Sequence, residues 1–203
     1  IRTTGGFDKY LEEQKKRLQT DYIDYYLIHF LNDIATWNKL ERLGIKEWIA
    51  HKKQTGEIRH IGFSFHGNTE MFLKLLEVYG WDFCQIQYNY MDEFSQAGRQ
   101  GLLAASNKSM PVIVMEPLRG GNLVNMLPDS ARKIMAEDGH HWSPAEWAFR
   151  WLYDQPQVAS VLSGMNSLEM LQENMAAAAE AMPGQWTARE YGVIEEVKKE
   201  IGE

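Results

Sequence analysis

A single cysteine in 203 residues, Cys84, excludes an internal disulfide framework and any all-cysteine metal site within one chain. One thiol and no secretory leader fit a reducing, cytoplasmic compartment. Basic clusters are also scarce. The longest run is Lys15-Lys16-Arg17, and the net charge is −7. Nucleic acid and anionic membrane both demand a concentrated positive face, so neither is an expected partner. No segment approaches the roughly 18 apolar residues of a membrane span. No G-x-G-x-x-G follows a strand-like segment, which leaves a Rossmann dinucleotide site without support. His60 and His66 have no evident third ligand, so no metal site is expected. An initiator methionine is missing too. Ile1 opens the chain a few residues before a helical pattern and reads as an internal start.

What is present is ordinary for a globular fold. The chain is 44% hydrophobic and 24% charged, enough for one sizeable core, and residues 1–203 are expected to form one domain. Helical and strand-like segments alternate along it. Phe7 to Leu18 reads as a helix and "DYIDYYLIHF" (21–30) as a strand. A helix over Leu40 to Gln54 stops at Gly56. "EIRHIGFSF" (57–65) is a strand, followed by a helix from Thr69 capped by Asn68 or Thr69 itself. "FCQIQYNY" (83–90) precedes a helix over Ser95 to Asn107. "PVIVMEP" (111–117) is a strand between prolines, with an inserted helix over Met126 to Asp138 after it. Ser143 and Pro144 mark a strong helix start. "VASVLSG" (158–164) is the last strand, and helices over Ser167 to Ala181 and Thr187 to Ile201 follow. Buried strands alternating with helices imply a parallel sheet covered by helices. Five such units fit an open doubly wound sheet or part of a barrel. A full (β/α) barrel needs eight units, so five leave two open edges.

Polar residues gather at one end of these strands. His29 ends the first, and Ser64 and His66 the second. Gln87 and Asn89 end the third, Glu116 and Arg119 the fourth, and Ser163 with Gly164 the fifth. Sites of parallel α/β folds lie at the C-terminal strand ends, where the βα loops converge. Each residue alone has a structural alternative. A strand-end histidine is as often a satisfied packing residue. Gln87 is equally readable as a core amide tied to backbone, and "RGG" (119–121) as a turn. His140 and His141 read as a solvated loop, and Trp142, Trp147 and Trp151 as core packing.

The stretches "LQTDYIDYYLIH", "GEIRHIGFS", "CQIQYN", "VIVMEPLRGG" and "VLSGMNSLEMLQEN" together resemble the aldo-keto reductases, in order and spacing, over essentially the whole chain. "GFSFHG", "MEPLRGG" and "LSGM" are similar to the branch that often carries a C-terminal iron–sulfur segment. No cysteine cluster that could hold such a group occurs in the sequence. The resemblance implies a (β/α)8 TIM barrel of which about five C-terminal βα units are present. It further implies an NADPH- or NADH-dependent reductase of aldehydes and ketones that works without metal, on a small-molecule carbonyl substrate.

By position, the resemblance makes His29 the active-site histidine that orients and polarises the carbonyl. Ser64 and Gln87 fall to the nicotinamide carboxamide, whose amide demands an acceptor and donors at fixed geometry. Met115 stands where the family usually stacks a tyrosine on the nicotinamide, and a thioether covers a ring less rigidly. Pro117, Leu118, Arg119 and Gly120 belong to a loop over the pyrophosphate, with Arg119 as phosphate partner. Ser163 and Gly164 begin a second phosphate-proximal loop, and Glu173 and Asn174 contact the adenine. Asn166 and Met170 occupy positions where NADPH-preferring members often carry Arg or Lys for the 2′-phosphate. NADH is therefore expected to be accepted at least as well as NADPH.

Two departures matter. Phe65 stands where an asparagine often follows the serine, and His66 is the nearest polar substitute. The family's catalytic tetrad joins histidine to an aspartate, a tyrosine and a lysine on earlier strands, and this chain begins after that region. Loss of a general acid typically costs about 10²–10⁴-fold. Two expectations follow. The sequence is most of a carbonyl reductase whose remaining segment, or an oligomer partner, covers the open edges. Alternatively it is a non-catalytic remnant that binds nucleotide or another protein.

Overall fold

The structure, a computed structural model, describes residues 5–202. The reading of Ile1 as an internal start lies outside the described residues. Helix α1 (Gly5–Leu18) leads into strand β1 (Ile23–Ile28), and α2 (Ile34–Arg42) and α3 (Ile45–Gln54) follow. Strand β2 (Ile58–Phe65), α4 (Thr69–Leu75), β3 (Phe83–Gln87) and α5 (Gly98–Asn107) continue the alternation. Strand β4 (Val112–Met115) enters a 3-10 turn at Arg119–Gly121, then α6 (Asn122–Asn125) and α7 (Asp129–Glu137). Helix α8 (Pro144–Tyr153), strand β5 (Val158–Val161), α9 (Leu168–Glu180) and α10 (Ala188–Ile201) complete it. The strands lie in the order β1-β2-β3-β4-β5, every pairing parallel. This is an α/β fold with five consecutive units of a (β/α)8 barrel, and β1 and β5 form its edges.

Local chemistry explains most boundaries. Asn68, Ser143 and Ser167 each accept a backbone N–H at a helix start, and Thr187 does so within a full capping box. The expected single helix over Leu40 to Gln54 is two helices. Gly44 adopts φ 81°, which breaks the first and starts the second, and the first begins earlier, with Asp33 as its cap. The helix expected over Met126 to Asp138 starts later, at Asp129, because Pro128 precedes it in an extended conformation. The strands are shorter than the apolar runs. His29, Asn89 and Glu116 lie in loops just past the strands.

Strand alternation divides the sheet into two faces. Ile61, Phe63, Phe65, Cys84, Ile86, Val112 and Val114 are fully buried in the main core. Burial pushes the Cys84 thiol up to about 12, so it is packing material rather than a nucleophile. Register sets Ser64 beside Gln85 and Ile113, and Gln87 beside Met115, on the opposite face. At Gly62 on that face a Cβ would stand 2.5 Å from the Phe83 carbonyl oxygen, so no larger residue fits. Among the described residues no helix is long and apolar enough to cross a membrane.

Candidate functional site

Beyond the ends of β4 and β5 lies a cleft of about 670 Å³. Its walls are the loop after β4, the loop after β5 and the first turns of α9. Pro117, Leu118, Gly120, Ser163, Gly164, Asn166, Met170, Glu173 and Asn174 all line it. Two loops separated by some forty residues of chain are thus brought together by the β4–β5 pairing. The volume lies within the usual range for small-molecule and cofactor pockets, about 300–1,000 Å³. Its charged lining residues are Glu116 and Glu173, both acidic.

The cleft is held from behind. The Ser143 hydroxyl caps α8 by accepting from the Glu146 N–H and donates to the Glu173 carboxylate. Asn174 donates its amide N–H to the Ser163 hydroxyl at 2.9 Å, tying α9 to the loop after β5. The loop after β4 holds four left-handed residues in a row of six: Glu116 (φ 54°), Arg119 (52°), Gly120 (67°) and Gly121 (90°). Left-handed φ at non-glycine positions is rare and costly, and it concentrates at ligand sites.

Four anticipated cofactor residues do not line this cleft. Three of them cluster beside it. Gln87 Nε2 donates to Asp92 Oδ2 at 2.6 Å, and Asn89 Nδ2 donates to the same oxygen at 2.9 Å. Arg119 faces Asp92 Oδ1 at 3.3 Å rather than the cleft. Asn89 also reaches the Glu116 carbonyl at 3.2 Å, which joins this cluster to the cleft wall. Ser64 stands apart on β2. Gln87 Oε1 is buried and has no hydrogen-bond partner among the described residues. An unmade bond of this kind costs about 1–3 kcal/mol. Met115 Sδ takes a weak contact from Gln85 Nε2 at 3.2 Å. Asp92 escaped the sequence reading. The signal available was an acid at close spacing after Gln87 and Asn89.

His29 sits at the other edge. It follows the last residue of β1 and is exposed. Among the described residues its side chain makes no hydrogen bond, and its ring lies 6.0 Å from that of Phe30. Phe30 takes φ 59°, and Ser64 braces this turn: its hydroxyl accepts from Phe30 N–H and its carbonyl from Leu31 N–H, each at 2.9 Å. The Ser64 hydroxyl keeps its own proton to donate. Tyr10 and Tyr26 share a groove of about 420 Å³ with His29, and among the described residues no lysine lines it. Burial pushes the Tyr26 hydroxyl upward.

Two side readings resolve differently. Trp147 and Trp151 are buried, as their spacing predicts. His141 is exposed in its loop, as expected, whereas His140 of the same loop is only partly exposed. It stacks on Trp142 at 4.0 Å, and its Nε2 lies 3.0 Å from Glu190 Oε1. Trp142, two residues on, and the α10 carboxylate of Glu190, 50 residues on, pull it inward. Burial opposes ionisation of Glu190, but bonds from the Thr187 hydroxyl and backbone and from His140 outweigh it and lower its carboxyl to about 2. Among the described residues no group of three or more His, Cys, Asp or Glu could hold a metal ion.

The aldo/keto reductase family model matches residues 3–189. An L-glyceraldehyde 3-phosphate reductase of Escherichia coli O157:H7 is 24% identical over 213 residues, covering 86% of this chain and 60% of the relative. The oxidoreductase YqkF of Bacillus subtilis is 27% identical over 195 residues, covering 83% and 60%. The aldo-keto reductase AKR11C1 from Bacillus halodurans, in its holo form, superposes with a TM-score of 0.75 at 23% identity, over 97% of this chain and 65% of that one. That last likeness establishes the fold. The chain spans about three-fifths of the length of the curated relatives it matches.

Proposed function

Since the chain belongs to the aldo/keto reductase family, we propose that it carries the dinucleotide-binding half of a carbonyl-reducing oxidoreductase, with residues 1–203 forming one part-barrel domain. The observation that carries this reading is the cleft beyond β4 and β5. Nine of the thirteen residues that the resemblance assigns to the cofactor line it.

The residues divide the work as follows. Gly120, Ser163 and Gly164 leave room for the pyrophosphate, and Glu173 with Asn174 faces the adenine. Ser64 and Gln87 orient the carboxamide, and Met115 covers the ring. Arg119 belongs to the loop after β4 and is paired to Asp92. When bound, the dinucleotide supplies a hydride to an aldehyde or ketone carbon. His29 donates a hydrogen bond to the carbonyl oxygen. With acidic residues as its charged lining, and no Arg or Lys at Asn166 or Met170, the cleft offers a 2′-phosphate no cationic partner among the described residues. NADH therefore binds at least as well as NADPH. Titration of the chain with each by calorimetry tests this, and a tenfold or greater preference for NADPH overturns it.

For the 203-residue chain alone, binding without efficient turnover is the better-supported activity. A tyrosine acid depends on a nearby lysine to tune it, and the raised Tyr26 hydroxyl is tuned the wrong way. NADH oxidation with a generic aldehyde, compared with His29→Ala, checks the point: equal rates remove the catalytic assignment of His29 in this chain. The open edges of β1 and β5 need cover, from a further segment or a second copy. The reductase named for L-glyceraldehyde 3-phosphate sets one candidate within the carbonyl class.

A further inference from the structure

We infer that Met165 and Met170 are an oxidant-sensitive pair: peroxide converts their thioethers to sulfoxides and so weakens, reversibly, nucleotide binding in the cleft beyond β4 and β5. This rests on the nucleotide reading of the cleft and adds a modification to it.

Sulfur is distributed unevenly in this chain. The single thiol, Cys84, is sealed in the core and pushed up to about 12, so it offers a peroxide almost no thiolate. Of the ten methionines, five are exposed: Met126, Met165, Met170, Met175 and Met182. All but Met126 belong to α9 or to the loops that flank it. The oxidisable sulfurs are therefore thioethers, gathered around one helix.

Position separates two of the five from the rest. Met165 and Met170 line the cleft, at 40% and 46% exposure, beside Leu118, Val124 and Leu162. The Ser167 hydroxyl accepts from the Met170 N–H at 3.2 Å, which fixes Met170 in the first turn of α9. Met126, Met175 and Met182 are more exposed, at 74%, 62% and 60%, and stand outside the cleft. They are built-in controls for oxidation without effect on binding.

In the step, a sulfur lone pair attacks one peroxide oxygen and the O–O bond breaks. The other oxygen takes the first one's proton and leaves as water, so sulfur is oxidised and peroxide reduced by two electrons. A flexible apolar side chain becomes larger and polar. The thioethers offer an aromatic base a soft, polarizable surface. The sulfoxide oxygen instead brings partial negative charge to a cleft whose charged lining, Glu116 and Glu173, is already acidic. An attractive contact is lost and a repulsive one gained toward a phosphate-bearing ligand.

The test uses the 203-residue chain, hydrogen peroxide and ADP-ribose, which lacks the nicotinamide ring assigned to Met115. Peptide mass spectrometry reads the sulfoxide at each methionine, and calorimetry the affinity before and after exposure. One thioether–aromatic contact corresponds to about a two- to tenfold difference in affinity, and wild type, losing two, is expected to weaken by about fivefold or more. The two methionine sulfoxide reductases then restore it. Met165→Leu/Met170→Leu, whatever its starting affinity, keeps that affinity through peroxide to within about twofold, because leucine has no sulfur to oxidise. Met126→Leu/Met175→Leu/Met182→Leu, which retains the cleft pair, weakens as wild type does. Sulfoxide at Met165 and Met170 with affinity unchanged, no sulfoxide there while Met126 oxidises, or an equal loss in Met165→Leu/Met170→Leu overturns the assignment and leaves the cleft reading intact. So does a loss that both reductases leave in place. Failure of untreated wild type to bind ADP-ribose overturns both.

Discussion

The two ends of the sheet are built from the same βα unit and have opposite characters. At the β4–β5 end, two loops and α9 enclose a cleft whose polar side chains are braced by Ser143, Asn174 and the Asp92 cluster. At the β1 edge, His29 is exposed and unbonded among the described residues, beside Tyr25 and Phe30 at 61% and 57% exposure. The difference teaches that a strand-end site is a property of neighbours. A side chain is positioned when a loop or helix closes over it. Ser163 follows edge strand β5 yet is tied to Asn174 of α9, whereas the Ser64 brace reaches the backbone after His29 rather than its ring.

Damage to the braced end should cost most. Trp147 on α8 is fully buried and packs edge-on against Trp142 at 4.8 Å and Trp186 at 5.6 Å. Trp147→Ala is expected to cost about 3–5 kcal/mol, read as a lowered urea midpoint with nucleotide binding lost in parallel. A midpoint unchanged within error would show that the cleft does not depend on this packing.

Acid is the next strongest lever. Lys15 and Lys52 donate to Glu57, and with Thr55 they hold its carboxyl down to about 2. A carboxyl lowered on folding stabilises above its ordinary value, and that stability drains away as pH falls from about 4.5 toward 2. The pair of lysines is worth on the order of 2 kcal/mol, allowing for partial exposure. Glu57→Gln should flatten this acid limb in unfolding curves taken between those pH values. A limb as steep as wild type assigns it to other carboxylates, Glu190 first.

Ser143→Ala sharpens the comparison more gently. It removes a helix cap worth about 1 kcal/mol and frees Glu173, so stability and adenine-nucleotide affinity should fall together. Loss of stability with full affinity would detach Glu173 from the cleft's function. His29→Ala should do least: stability within about 0.5 kcal/mol, as for an exposed side chain, and unchanged ADP-ribose affinity. A larger shift in either would mean that His29 is packed or in contact with the nucleotide.

Much of the fold was legible along the chain. Ser143-Pro144, Asn68 and Thr187 announced helix starts that the backbone adopts, because a cap is satisfied within a few residues. The apolar stretches announced strands and their parallel order. The cleft residues were legible only through resemblance to a family, since nothing local in "PLRGG" or "SGMNSLEMLQEN" says what they face. The break at Gly44, the inward turn of His140 and the gathering of Gln87, Asn89 and Arg119 on Asp92 were not legible. Each depends on a partner far along the chain or on a backbone angle that composition does not announce.

The sequence by itself determined the βα alternation, the parallel sheet and the family, because these follow from periodicity, caps and motif order. Only the tertiary structure decided that two loops and α9 close a cleft at the last two units, that His29 is left without a hydrogen bond among the described residues, and that Gln87, Asn89 and Arg119 all turn to Asp92. Those outcomes rest on which groups meet across strands: a hydrogen bond is settled where donor and acceptor arrive together, and the sheet decides that.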